Sequence, residues 1–83
     1  MKVEVIKFGS EKCAPCKVMS KIFSDVEGIT HVDILTDQET AKKYNVRRVP
    51  TLVFLKDDKE VERITGVISL HLYNTILNKI KTN

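Results

Sequence analysis

Cys13-Ala14-Pro15-Cys16 is the one stretch of this chain whose residue types and spacing carry chemistry. Two residues between two cysteines, at the start of a helix, bring both sulfurs within disulfide reach. Pro15 stiffens the turn. A helix N-terminus also places unpaired backbone N–H groups and a partial positive charge near the Cys13 sulfur. Both favour thiolate over thiol, so the Cys13 pKa is expected below ~8.5. Lys12 and Lys17 add to the effect. Thiolate is the nucleophile of disulfide exchange, which makes Cys13 the attacking residue. Cys16, one turn in, is expected to be more buried and to resolve the mixed disulfide. Two blander readings stand beside this one. The pair could be two buried free cysteines, or half of a zinc or iron–sulfur site, which normally needs about four ligands. The other candidate ligands are His31 and His71. His71 falls on the polar side of the last predicted helix, so a site within one chain is poorly supplied; a cluster shared between two chains stays open.

The elements that must hold these cysteines can be read from pattern. Val3 to Phe8 is β-branched and aromatic, a first strand. From Ala14 the period turns helical, with Val18, Met19, Ile22, Phe23 and Val26 on one face. Pro15 suits the first turn, and Gly28 suits the left-handed position that closes a helix running from about Ala14 to Glu27. Thr30 to Leu35 is a second strand. Thr36 with Glu39 matches a capping box before a short helix from Gln38 to Tyr44, which Asn45 ends. Val49 to Leu55 is a third strand, apolar enough to be buried on both faces. Asp57-Asp58 turns the chain into a more polar strand, Glu60 to Thr65, expected at an edge. After Gly66-Val67-Ile68, Ser69 caps a last helix with Leu72, Tyr73, Ile76, Leu77 and Ile80 on its apolar face. The order is β-α-β-α-β-β-α. It predicts an α/β fold with a four-stranded mixed sheet, helices on both faces, parallel pairing of the early strands and a hairpin between the last two.

Composition excludes other classes. Eighty-three residues suit one small domain, residues 1–83. Three Gly and two Pro argue against a collagen-like or low-complexity chain, and two Cys against a dense disulfide scaffold. The net charge of +3 comes from 14 basic and 11 acidic residues with interspersed signs. No basic block appears, so nucleic acid is not an expected partner. No apolar run approaches the ~18 residues of a membrane span. Met1 to Gly9 lacks a basic stretch followed by a long apolar one, and reads as a strand rather than a signal peptide. The expected compartment is the cytoplasm, where structural disulfides are rare and a Cys pair points to catalysis or metal. A monomer is expected.

At Cys13-Ala14-Pro15-Cys16-Lys17, Tyr44 to Leu52, Lys56-Asp57-Asp58 and Thr65-Gly66 the sequence resembles the thioredoxin family over nearly its whole length. The extra N-terminal strand and helix of full-length thioredoxins are missing, so the resemblance is to the minimal core shared with glutaredoxins and small archaeal-type thioredoxins. It implies a thioredoxin-like fold and a protein-disulfide reductase using Cys13 and Cys16. No cofactor is needed for the exchange. Electrons come from a thioredoxin reductase-like flavoprotein and pass to disulfide-containing client proteins, ribonucleotide reductase being one type. A cis Val49–Pro50 bond is implied beside the cysteines, with the Val49 backbone pairing to an extended substrate and Pro50 packing over the sulfurs, where it keeps metal ions away. Gly66 gives the substrate chain room. Lys12, Ala14 and Pro15 complete the expected substrate surface. Ala-Pro between the cysteines is close to the reducing Gly-Pro type, so a low reduction potential is expected.

The chain also departs from the family pattern. Lys12 stands where a Trp is usual, and Ala14 where a Gly is usual. Lys7 occupies the position of a buried Asp that helps deprotonate the second cysteine, and His31 that of a lysine on the neighbouring strand. His31, with a reference pKa near ~6.5, could serve as base for Cys16. Alternatively Lys7 snorkels outward and His31 is a partly exposed strand residue. Two other functions stay open. One is a glutathione-dependent, glutaredoxin-like reductase, suited by Lys12 and the Val49-Pro50 loop but not by Val67-Ile68 after Gly66. The other is a binding module with its redox site idle.

Overall fold

The computed structural model describes residues 2–82; Met1, where the N-terminal strand reading begins, and Asn83 lie outside them. The elements follow the expected order: β1 (Val3–Gly9), α1 (Ala14–Ile22), β2 (Ile29–Asp33), α2 (Gln38–Lys43), β3 (Thr51–Lys56), β4 (Lys59–Thr65) and α3 (Leu70–Thr82). They build one four-stranded sheet, β2-β1-β3-β4, with β4 at an edge.

The alternation of β1 sorts two cores. Val5 points to the face where Met19, Phe23, Leu52, Phe54, Ile68, Tyr73 and Ile80 pack, roofed by α1 and α3. Ile6 and Phe8 point to the other face, with Val53, Leu55, Ile34, Tyr44 and Val46. β3 serves both faces, and Thr51 through Leu55 are all buried, which explains its unbroken apolar run. Phe23 meets Tyr73 edge-on, with centroids 5.1 Å apart. Among the described residues, no helix is long and apolar enough to cross a membrane.

Strand direction corrects the sequence reading. β1 and β2 are parallel, but β3 is antiparallel to β1. In register, Val32 and Thr51 both lie beside Phe8. The chain therefore leaves β2 and enters β3 at the same end of the sheet. A return crossover is not required, and a helix of six residues, about 9 Å long, covers the lateral step.

Local boundaries also shift. α1 ends at Ile22, with Phe23 as its C-cap, so Val26 and Gly28 lie beyond the helix. Gly28 does take a left-handed φ of 82°, but in the approach to β2. β2 stops at Asp33, because Ile34 and Leu35 turn over the Asp33 side chain, which accepts the Leu35 N–H at 2.8 Å. The cap of α2 is Asp37, not Thr36: Asp37 Oδ1 accepts the Thr40 N–H at 3.2 Å. A carboxylate one residue nearer the helix displaces the hydroxyl, so no box forms with Glu39. β3 begins at Thr51 because Pro50 cannot donate to the ladder. Val18 and Leu72, placed on apolar faces by their spacing, are 49% and 41% exposed. Each sits at the margin of its stripe, and the sheet fills before reaching it. Asn45, Asp57 and Asp58 take the left-handed backbone their turns need, and Ser69 caps α3 through the Leu72 N–H at 3.2 Å.

Candidate active site

β1 ends at Gly9, and four residues later Cys13 opens α1 as its N-cap. Its backbone is extended, with φ −106° and ψ 113°, so its side chain turns back over the first helical turn. There Cys13 Sγ accepts the backbone N–H of Cys16 at 3.2 Å. The two cysteines form a disulfide with their Cα atoms 5.2 Å apart, well inside the range such bonds span. Both cysteines are thus accounted for by each other. Among the described residues no group of three or more His, Cys, Asp or Glu side chains could hold a metal ion; His31 lies on β2 and His71 on α3.

The two sulfurs differ in access. Cys16 is 3% exposed, whereas Cys13 is half-buried and its flanks, Lys12, Ala14 and Pro15, are exposed. The helix N-terminus supplies Cys13 with an N–H donor and a favourable dipole. This is the electrostatic setting that favours a thiolate there once the disulfide is reduced.

Opposite Cys13 lies the loop before β3. The Val49–Pro50 peptide bond is cis, and the Val49 carbonyl oxygen is 3.8 Å from Cys13 Sγ. Three hydrogen bonds tie the loop down. Gly66 donates its N–H to the Pro50 carbonyl at 2.8 Å. Thr51 donates its hydroxyl to the Arg48 carbonyl at 2.6 Å, and the Thr51 and Thr65 hydroxyls meet at 3.1 Å. Gly66 has φ +105°, and a Cβ there would meet nothing within 4 Å. The requirement for glycine is therefore conformational, and the space beside it is open. The Val49 carbonyl reaches Cys13, and Gly66 is held against Pro50, because Thr51 pairs with both Phe8 and Thr65.

Behind Cys16 is an open groove of about 770 Å³ between α1, β1 and β2. Lys7 and Gly9, alternate residues of β1, face it together with Cys16, Ser20 and His31. Gly9 brings the strand close: a Cβ there would lie 3.7 Å from Cys16 Sγ. Lys7 does not snorkel outward. It is 5% exposed, and its Nζ donates to Ser20 Oγ at 2.9 Å. Burial pushes its pKa down. His31 pairs with Lys7 in the parallel register but remains exposed on its edge strand. Partial burial, and then the charge of Lys7, hold its pKa below the usual histidine value. Ser20 escaped the sequence reading, although its spacing from Cys16, i to i+4 on one helix face, could have shown it.

Comparison with known proteins agrees with this geometry. The family model described as Thioredoxin matches residues 1–79. A thioredoxin H-type from Oryza sativa subsp. indica is 32% identical over 85 residues, covering 95% of this chain and 70% of that protein. A thioredoxin from Bacillus subtilis is 31% identical over 84 residues, covering 93% and 81%. Among solved structures, Fasciola hepatica thioredoxin superposes with a TM-score of 0.75 at 34% identity, over 93% of this chain and 80% of that one. A Halobacterium salinarum thioredoxin mutant reaches 0.86 at 24% identity, over 93% and 73%, and supports the fold alone. The chain belongs to the thioredoxin family and is a thiol–disulfide oxidoreductase of the protein-disulfide reductase type.

Proposed function

We propose that residues 1–83 work as one thioredoxin-like unit in which Cys13 attacks the client disulfide and Cys16 resolves the resulting intermediate. The observation that carries this is the asymmetry of the pair. Cys13 Sγ sits at the helix cap, accepting the Cys16 N–H, beside the exposed Ala14 and Pro15, while Cys16 is buried behind it. The Cys13 thiolate attacks one client sulfur and the other leaves as thiolate. Cys16 then attacks Cys13 Sγ, the second client sulfur leaves, and the Cys13–Cys16 disulfide remains. Two electrons have passed to the client. Val49, Pro50 and Gly66, with Lys12, Ala14 and Pro15, form the surface that receives the client chain. Support comes from the Val49 carbonyl, free of the sheet ladder beside Cys13, and from the open space at Gly66.

The family acts on disulfide-containing substrates and is reduced by thioredoxin reductase. We assign this chain the same donor type, a flavoprotein reductase, and cytoplasmic protein clients, with the protein acting as a monomer and without a bound cofactor. The test is the Cys13–Cys16 reduction potential, measured against defined thiol buffers by counting alkylated thiols. A value near −270 mV supports flavoprotein-driven reduction; one near −200 mV or above favours glutathione as donor. Replacing both cysteines by serine must abolish client reduction; survival of the biological function in that variant would make the protein a binding module.

A further inference from the structure

Two pairs of cations stand next in the chain to the groups nearest the Cys13 sulfur, and the packing of the fold has no use for them. Lys12 precedes Cys13, and Lys17 lies one helical turn on, its N–H bonded to the Cys13 carbonyl at 3.2 Å. Arg47 and Arg48 precede Val49, whose carbonyl lies 3.8 Å from Cys13 Sγ. The Arg48 carbonyl accepts the Thr51 hydroxyl, so the backbone carrying this second pair is fixed against the start of β3. All four cations are exposed. Among the described residues, no carboxylate stands within ion-pair distance of Lys12, Lys17, Arg47 or Arg48. The carboxylates lie elsewhere or are occupied. Asp25 and Glu27 fall between α1 and β2, Asp57 and Asp58 in the turn between β3 and β4, and Glu4 and Glu60 both pair with Leu55. These stand at the end of the sheet away from Cys13. At the near end, Asp33 accepts the Leu35 N–H, and Asp37 accepts both the N–H and the hydroxyl of Thr40. Glu39 belongs to the first turn of α2, which leaves Glu11 as the acidic neighbour of the cations. Past Gly66 the exposed residue is Val67, which carries no charge.

We propose that Lys12, Lys17, Arg47 and Arg48 select clients with acidic residues beside the reacting disulfide. This rests on the reading that Cys13 attacks the client and that the Val49-Pro50 loop receives its chain. An extended client advances ~3.3 Å per residue, so positions one to three residues from its cysteine stay within about 10 Å of the sulfur. Asp or Glu at those positions meets cations that have no internal ion pair to give up. Lys or Arg there meets like charge and is disfavoured. Single exposed pairs are weak, so the preference is the joint effect of the four. It acts chiefly on the rate of encounter, and it weakens as salt screens the charges.

The test uses the full chain, reduced, against two synthetic peptides that share one disulfide ring. One carries Asp and Glu on both sides of the ring, the other Lys. Single-turnover reduction is followed by mass at about 20 mM and about 0.5 M salt. The acidic peptide should react about tenfold or more faster at low salt, and the gap should narrow at high salt. R47E/R48E should lower the ratio of the two rates, and adding K12E should reverse the preference. The ratio cancels any effect of Lys12 on the reactivity of Cys13 itself. K79E/K81E changes the net charge by the same amount as R47E/R48E, but on α3, and should leave the ratio unchanged. R47Q/R48Q serves if the reversed variant does not fold. Equal rates for the two peptides at low salt overturn the proposal, as does a ratio that moves as far in K79E/K81E as in R47E/R48E. The underlying reading fails differently: both peptides would be left unreduced by the parent chain, or both would still be reduced by C13S, and either result overturns the proposal as well.

Discussion

Cys16 donates its backbone N–H to the sulfur of Cys13, at 3.2 Å, so the buried cysteine supports the more accessible one. The bond forms because Cys13 is an N-cap with extended backbone, and an N-cap acceptor faces the first free N–H groups of its helix. In the reduced protein, alkylation of Cys13 by iodoacetamide should titrate with a midpoint below ~8.5. Cys16, buried behind it, should alkylate much more slowly at every pH. Equal rates at the two sulfurs would contradict the assignment of roles.

The Lys7–His31 pair should be visible by NMR. His31 is held below the usual histidine pKa first by burial and second by the Lys7 charge. Its ring protons should therefore titrate below ~6.5. In K7M the midpoint should rise, but not fully to that value, because burial remains.

Stability should follow the same groups, with a definite sign. The folded state holds the Lys7 proton less tightly than the unfolded chain, so the unfolded state binds more protons in the window below ~10.4. Stability gains with rising pH from the folded Lys7 pKa up to that value, and is penalised below it. K7M should be at least as stable as the parent near neutral pH, because it removes a buried amine. It should also lack this alkaline gain. Urea melts at several pH values measure both, and a K7M protein clearly less stable at pH 7 would mean that the Ser20 hydrogen bond outweighs desolvation.

Gly66 should resist substitution for a backbone reason. At φ +105° an L side chain is strained even though nothing lies within 4 Å of its Cβ. G66A should cost on the order of 1 kcal/mol, and should loosen the hydrogen bond to the Pro50 carbonyl. Its KM for a disulfide client should rise more than its kcat falls.

Arg63 joins β4 to the end of α2. Its guanidinium donates to both Glu60 oxygens, at 2.9 and 2.8 Å, to the Asn45 carbonyl at 3.2 Å and to the Tyr44 carbonyl. R63K cannot keep this fork, so both R63K and R63A should lower stability by roughly 1–2 kcal/mol. The Arg63 hydrogen bond first, and its charge, hold Glu60 below the usual carboxylate pKa. That stabilisation is full above the unfolded value near ~4.3 and is lost as pH falls through the lower folded one. The deficit of R63A should therefore narrow in acid, as melts at pH 7 and pH 3 can show.

The cysteine pair was legible because local rules suffice. A CxxC with an internal Pro, at the junction of a β-branched run and a 3.6-residue period, is a strand followed by a helix with both sulfurs at its start. Element order was legible for the same reason. The margins were not. Whether Val18 or Leu72 belongs to an apolar face depends on how far the sheet reaches, and whether Thr36 or Asp37 caps α2 depends on which side chain meets the free N–H first.

The residues 13–16 and the periods around them, then, settle which atoms exchange electrons and on what kind of scaffold, because capping, helix dipole and disulfide geometry act over a few residues. What surrounds those sulfurs is decided by sheet pairing across long stretches of chain. Phe8 against Thr51, and Thr51 against Thr65, carry the Val49 carbonyl to Cys13 and Gly66 to Pro50. Lys7 against His31, under a helix that sets Ser20 and Cys16 above it, turns a lysine that could have reached solvent into a buried amine. Strand direction and register are collective outcomes of burying two faces at once, and no local pattern states them.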